Sequence, residues 1–238
     1  MDLPLFYAKD IAPGTATYTM DEPTSKHCIM VLRKQKGEQV LLADGRGNKF
    51  TAVIADDNRK KCVLQVTACE NVPAPTPAIR IAICFTKNAS RIEWFLEKAT
   101  EIGIQEIIPV LSHRSETEKF KAERLQNILV SAMMQSQQYY LPVLEAPVAF
   151  DKVVKQSKDS QRFIAHCLPE SKTHLWQAMQ PGKDTLVLIG PEGDFTPAEI
   201  ALALEQGFQA VSLGDTRLRT ETAGMVAATM CKCANVAG

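Results

Sequence analysis

The chain lacks any apolar run approaching the roughly 18 residues that span a bilayer, and a start at Met1-Asp2 is unlike a signal peptide. A membrane partner is therefore not expected. Excess charge of either sign is also missing: 27 Lys and Arg balance 27 Asp and Glu. That removes the broadly basic signature of many nucleic-acid binders and leaves only local patches to serve phosphate. The seven cysteines are odd in number and scattered, with no C-x-x-C pair, which excludes a disulfide framework and points to reduced thiols in the cytoplasm. Cys231 and Cys233 lie two apart on an expected helix, face different ways and make a poor metal pair, so no metal is expected. There is no repeat and no low-complexity tract.

What is present is ordinary globular composition, 45% hydrophobic and 23% charged. The segment NVPAPTPA, 71–78, carries three prolines in five residues, excludes helix and central strand, and reads as a stiff linker. It divides a first domain, 1–72, from a second, 73–238. Before it, CIMVL, EQVLLAD, KFTAVIA and CVLQVT are short apolar runs separated by turns, the spacing of a small β-barrel. ADGRGN, with Asp44-Gly45, signals a hairpin. Positive charge gathers near the turns in RKQKG (33–37), GRGNK (45–49) and NRKK (58–61).

After the linker, strands alternate with helices, which predicts an α/β domain with a mostly parallel sheet covered on both faces. IRIAICF, EIIPVL, RFIAHC, TLVLIG and AVSLG are the expected strands. SRIEWFLEKATEIG is a helix with Ser90 and Glu93 in capping-box spacing and Gly103 as its stop. EKFKAERLQNILVSAMMQ is a longer amphipathic helix, and a small-residue helix covers about 221–235.

Two strand tips carry unusual loops. In LIGPEGDFTPAEI the strand ends at Gly190, and Thr196, Pro197 and Glu199 form an N-cap, first-turn proline and capping box. The loop between is neither of the two common mononucleotide fingerprints, but its glycines allow close backbone approach to a ligand beyond the carboxyl ends of strands. In LGDTRLRTETAG, Arg217 and Arg219 stand beyond a strand, with Thr220 as an expected N-cap. The last helix is apolar nearly all round, as for burial within the monomer or in a subunit interface. Of the histidines, His166 sits at a strand end near these loops and reads as core or as support to a site; His113 precedes Arg114.

Together these segments resemble the RsmE family, ribosomal RNA methyltransferases of the knotted SPOUT class that methylate N3 of a uridine in small-subunit (16S) rRNA. HCIMVLRKQKGEQVLLADGRGNKF is similar to its PUA-like RNA-binding barrel, KATEIGIQEIIPVLSHRS to its first SPOUT segment, and LIGPEGDFTPAEI and LGDTRLRTETA to its two cofactor loops. The resemblance implies a C-terminal trefoil knot, S-adenosylmethionine bound within it, and a homodimer with sites at the interface. By motif it carries the cofactor to Ile189, Gly190, Pro191, Glu192 and Gly193, and to Leu213, Gly214, Leu218 and Arg219. Arg114 and Ser115 match positions near the RNA side. With no net charge, phosphate contacts fall to Arg33, Lys34, Lys36, Arg46 and Lys49 of the barrel. Two departures stand out. MMQSQQ replaces the usual AEQSGR, placing Met134 and Gln138 where the family has an acid and an arginine, and GPEGD puts Asp194 where a glycine is usual.

N3 of uracil carries a proton, so catalysis needs its removal or stabilisation of the anion. Arg219, or Arg114, is expected to donate to a uracil oxygen, and Glu192 or Glu221 to accept the proton. Methylation of a ribose 2′-OH or a tRNA base, and a non-catalytic RNA-binding assembly role, are the alternatives.

Overall fold

The computed structural model describes residues 3–115 and 120–236. The chain divides into two compact units, Met1–Ala74 with Met133–Leu141, and Pro75–Ala132 with Pro142–Gly238.

The first unit contains β1 (Leu5–Tyr7), β2 (Thr17–Thr19), α1 (Glu22–Lys26), β3 (Gln39–Ala43), β4 (Asn48–Asp56) and β5 (Val63–Asn71). They form one curled sheet in the order β1-β3-β4-β5-β2, antiparallel except where β1 runs parallel to β3. Alternation places Phe50, Ala52 and Ile54 of β4 inward, against Val40, Leu42 and Leu64. Two register shifts along β4 and β5 bend the sheet around that core. The β3–β4 turn is held by the buried Asp44 carboxylate, which accepts from the backbone N–H groups of Arg46 and Asn48.

One expected strand is absent. CIMVL is a turn of π-helix, His27–Val31, continuing α1. The helix is started by Asp21, whose side chain accepts from Thr24 N–H, with Pro23 in the first turn. Met30 and Val31 stay exposed, while Cys28 enters the core and Ile29 packs partly against it. The segment Met133–Leu141 joins this unit: Leu141 N–H donates to Gly45 O, Gly47 N–H to Tyr139 O, and Met133 packs with Leu5 and Ala43.

The second unit is an α/β sheet. Its strands are β6 (Ile79–Ile83), β7 (Glu106–Leu111), β8 (Val143–Leu144), β9 (Val148–Ala149), β10 (Gln161–Ala165), β11 (Thr173–His174), β12 (Thr185–Ile189) and β13 (Gln209–Ser212). All pairings are parallel, in the order β11-β13-β10-β12-β6-β7-β8, with β9 beside β7. β12 is buried along its whole length, as its unbroken apolar run requires. Between the strands run α2 (Ala89–Ile102), α3 (Ala122–Gln135), α4 (Phe150–Gln156), α5 (Leu175–Ala178), α6 (Pro197–Glu205) and α7 (Thr220–Val236). α4 and α6 bring Phe150, Val153, Ile200 and Ala203 onto Ile164, Leu186 and Leu188. α7 packs against α2, β6 and β12, so close that Gly224 leaves no room for a Cβ beside Phe95 and Ile83.

The capping of α2 differs from expectation. Asn88, not Ser90, is its N-cap and accepts from Arg91 N–H, while Glu93 pairs with Arg124. Asn at the earlier position satisfies the first free N–H group and moves the start forward. Gly103, at φ 88°, ends the helix as expected. α3 begins at Ala122; Glu118 and Lys119, which the sequence placed in that helix, lie outside the described residues.

A candidate cofactor cavity at two strand tips

The capping box of α6 forms as the spacing requires. Thr196 Oγ1 accepts from Glu199 N–H, and Glu199 Oε2 accepts from Thr196 N–H at 2.8 Å. A rigid helix start thus anchors the far side of the β12–α6 loop. Within the loop, Asp194 N–H donates to Pro191 O at 2.9 Å, closing a tight turn around Glu192 and Gly193. Asp194 takes a left-handed φ of 63°, a region costly for residues with a Cβ. Its carboxylate offsets that cost by accepting two backbone N–H groups, Cys167 through Oδ2 and Phe195 through Oδ1, each at 2.8 Å. The aspartate in the usual glycine position therefore pins the tip of β10 to the loop after β12.

The second loop is tied to the first by the Thr220 hydroxyl, which donates to Gly190 O at 3.0 Å. The sequence expected this hydroxyl to cap α7; it joins the two strand tips instead. Together the tips of β10, β12 and β13 enclose a cavity of about 850 Å³. Of the residues expected to hold a cofactor, Ile189, Gly190, Pro191, Glu192, Leu213, Gly214, Leu218 and Arg219 line it. Gly193 does not: its carbonyl turns to Arg114, accepting from Nη1 at 2.7 Å. Arg114 thus braces the loop.

The third wall runs from His166, which the sequence placed near these loops as core or support, through Cys167, Leu168 and Pro169 to Lys172, none of which the sequence singled out. His166 Nδ1 accepts from Leu168 N–H at 3.3 Å. Nε2 is buried, with Glu170 Oε1 3.0 Å away. Burial, reinforced by Lys172, lowers the His166 pKa from 6.5 and keeps the ring neutral at pH 7. Among the described residues Arg219 makes no ion pair; it is exposed on the cavity wall. Glu221 is elsewhere: it is buried, outside the cavity lining, with Oε1 3.6 Å from Arg91 Nε.

The expected phosphate contacts divide. Arg33 and Lys36 are exposed and form no ion pair among the described residues, whereas Lys34 pairs with Glu38, Arg46 with Asp44, and Lys49 with Glu70. Ser115 donates to Ser112 O at 2.7 Å.

An all-parallel sheet with glycine-turned loops closing a cavity at its carboxyl edge, in a chain that also carries a curled β unit, defines a class that the comparisons specify. Residues 73–232 match the RNA methyltransferase domain family and residues 21–67 the RNA methyltransferase PUA domain family. The chain belongs to the ribosomal RNA small subunit methyltransferase E family. It is 33% identical to that protein of Synechocystis over 89% of this chain and 71% of the relative. A crystal structure of a probable rRNA-methyltransferase from Porphyromonas gingivalis superposes with a TM-score of 0.93 at 40% identity, covering 99% of both chains. That of the Neisseria gonorrhoeae small subunit methyltransferase E, bound to S-adenosyl methionine, gives 0.83 at 26% identity over 95% of each.

Proposed function

We propose that this chain methylates N3 of a uridine in 16S rRNA, using S-adenosylmethionine in the cavity at the tips of β10, β12 and β13. One observation carries the reading: eight of nine residues matched to cofactor loops converge on that single cavity. The residues fit such a group. A Cβ on Gly190 would come within 3.3 Å of Phe195 and 3.4 Å of Asp194 Oδ1, so only glycine lets the loop turn this tightly at the cavity wall. When bound, the cofactor supplies a methyl on cationic sulfur, the new N–C bond forming as C–S breaks and sulfur keeps the electron pair.

The chain's own task is alignment and charge. Arg219, free on the wall, donates to a uracil oxygen and favours the anion left when the N3 proton departs. Glu192, one of three carboxylates on the lining with Asp194 and Asp215, accepts that proton, whereas Glu221 is held by Arg91. Arg114 acts by bracing the loop at Gly193. Residues 1–72 act as the RNA-binding module and 73–238 as the methyltransferase domain. The loops at 190–195 and 213–220, tied by Thr220, are the knotted segment. The working form is a cytoplasmic homodimer, for which the exposed Trp94 of α2 supplies apolar surface.

The test is nucleoside mass analysis of 16S rRNA from a deletion strain. The 3-methyluridine disappears and returns when the chain is supplied; its persistence in the deletion strain rejects the reading. With both substrates saturating, Arg219→Ala slows single-turnover methylation by about 10²-fold, the scale for losing one donor to a developing anion.

A further inference from the structure

We propose that a second, smaller cavity, at the tips of β6 and β7, seats the acceptor base as one unpaired uracil ring. This rests on the methyltransferase reading and assigns the acceptor a site of its own.

The slot measures about 110 Å³. An engineered apolar cavity of about 150 Å³ admits benzene, so the slot has room for no more than a single six-membered ring and is small for a purine. The rings of Phe85 and Phe120 line it as a mutually packed pair, centroids 6.3 Å apart and tilted by 35°, together with Ala89 and Leu125. Bases taken out of a stack are held against such aromatic and apolar faces, with a few hydrogen bonds to the edge. The hydrogen-bonding group is also present. Thr86 lines the slot and is 3% exposed, yet among the described residues its Oγ1 has no hydrogen-bond partner. A buried hydroxyl left unpaired is unfavourable unless a ligand completes it. Uracil offers O2 and O4, and a hydroxyl bonded to either leaves N3 uncovered for methylation.

The rim suits a backbone that follows the base. Lys121 is exposed and makes no ion pair among the described residues, while Arg124 is fixed by Glu93 at 2.7 and 3.0 Å. Cations there meet phosphate without contributing sequence information. Position links the slot to the cofactor cavity. Ile83 of β6 is in register with Ile189 of β12, and Cys84 N–H donates to Ile189 O at 3.0 Å. Neighbouring strands lie about 4.8 Å apart, so Phe85 and Thr86 leave the sheet one strand from the Gly190–Pro191 turn.

The experiment uses the full chain saturated with S-adenosylmethionine and a 16S rRNA fragment transcribed with 5-iodouridine, which cross-links to stacked aromatic rings on irradiation. Mass spectrometry is expected to find the adduct on Phe85 or Phe120, and to lose it in Ala89→Phe, which fills the slot from an exposed helix position. Ala89→Phe lowers single-turnover methylation of unmodified RNA at least about 100-fold. Thr86→Val, near in shape, lowers it about tenfold, the scale of one hydrogen bond. Cofactor affinity by calorimetry stays within about twofold in both, which also reports that they fold. Adducts confined to other residues, or wild-type methylation by Ala89→Phe, overturn the proposal. If the unsubstituted chain binds cofactor but methylates no rRNA, the methyltransferase reading fails, and the cross-link alone decides the slot.

Discussion

Two side chains show how single residues set the cofactor cavity. Asp194 adopts a backbone conformation that glycine would take at less cost, and its carboxylate holds Cys167 N–H and Phe195 N–H. Asp194→Gly relieves the backbone but frees both amides, and losing charge-assisted bonds outweighs the gain, since each is worth about 1.5–3 kcal/mol against about 1 kcal/mol for the strain. We expect cofactor affinity to fall about tenfold by calorimetry, with partial recovery in Asp194→Asn; unchanged affinity would show that the pin is idle. His166 gives a pH signature. Its folded pKa is lowered, burial first and Lys172 second, so below 6.5 the unfolded chain binds a proton that the folded chain refuses. The contribution of His166 is therefore full above pH 6.5 and declines as pH falls. Between about pH 7 and pH 5 the Tm of the unsubstituted protein should drop more than that of His166→Gln. Parallel Tm curves would remove His166 from the pH response.

At the scale of elements, α7 can lie on β6 and α2 only because Gly224 has no side chain. A Cβ there would sit 2.7 Å from Phe95 Cε2 and 2.8 Å from Ile83 Cδ1. Overpacking of this kind costs about 1–3 kcal/mol, and each kcal/mol lowers Tm by roughly 2–4 °C in a chain of this size. Gly224→Ala should show that loss by calorimetry even though alanine is the better helix former; a raised Tm would mean that the helix stands off the sheet. Much at this scale was legible. β12 reads directly from TLVLI because a strand buried on both faces is apolar throughout, and the Thr196 box reads from local spacing. CIMVL misled because a short apolar run has no period of its own; the cap at Asp21, several residues earlier, decided that it continues a helix. The Ser90 cap failed because Asn88, two residues before it, could serve first. The Asp194 pin and the Thr220 tie were not legible, since each joins residues 27 and 30 positions apart that only the sheet brings together. The place of Met133–Leu141 in the first unit was hidden for the same reason.

For the whole molecule, a net charge of zero poses the question of how a polyanion is held. Sequence position alone weights Arg33, Lys34, Lys36, Arg46 and Lys49 equally; their surroundings do not. Arg46 is occupied with the buried Asp44 and also donates to Ile11 O, Lys49 lies over the Tyr139 ring beside Glu70, and Lys34 is paired with Glu38. A cation already neutralised releases few counterions when a phosphate arrives, so the salt dependence of binding should rest on Arg33 and Lys36, together with Arg59, Lys60 and Lys61, which are exposed in the β4–β5 loop. Lys36 N–H donates to Asp57 Oδ2 and Gly37 N–H to Ile54 O, which sets these two basic segments beside each other. On single-stranded RNA each lost contact lowers the slope of log K against log salt by about 0.7. Arg33→Glu with Lys36→Glu should therefore reduce the slope by about 1.4 and weaken RNA binding at low salt. Cofactor affinity should be unaffected, because the cavity is built from residues of the other unit. Arg46→Ala should instead lower Tm, by stranding a buried carboxylate, and leave the slope nearly intact. Filter binding across a salt series decides between the two sets: a slope that follows Arg46 and Lys49 would place the RNA on the paired cations.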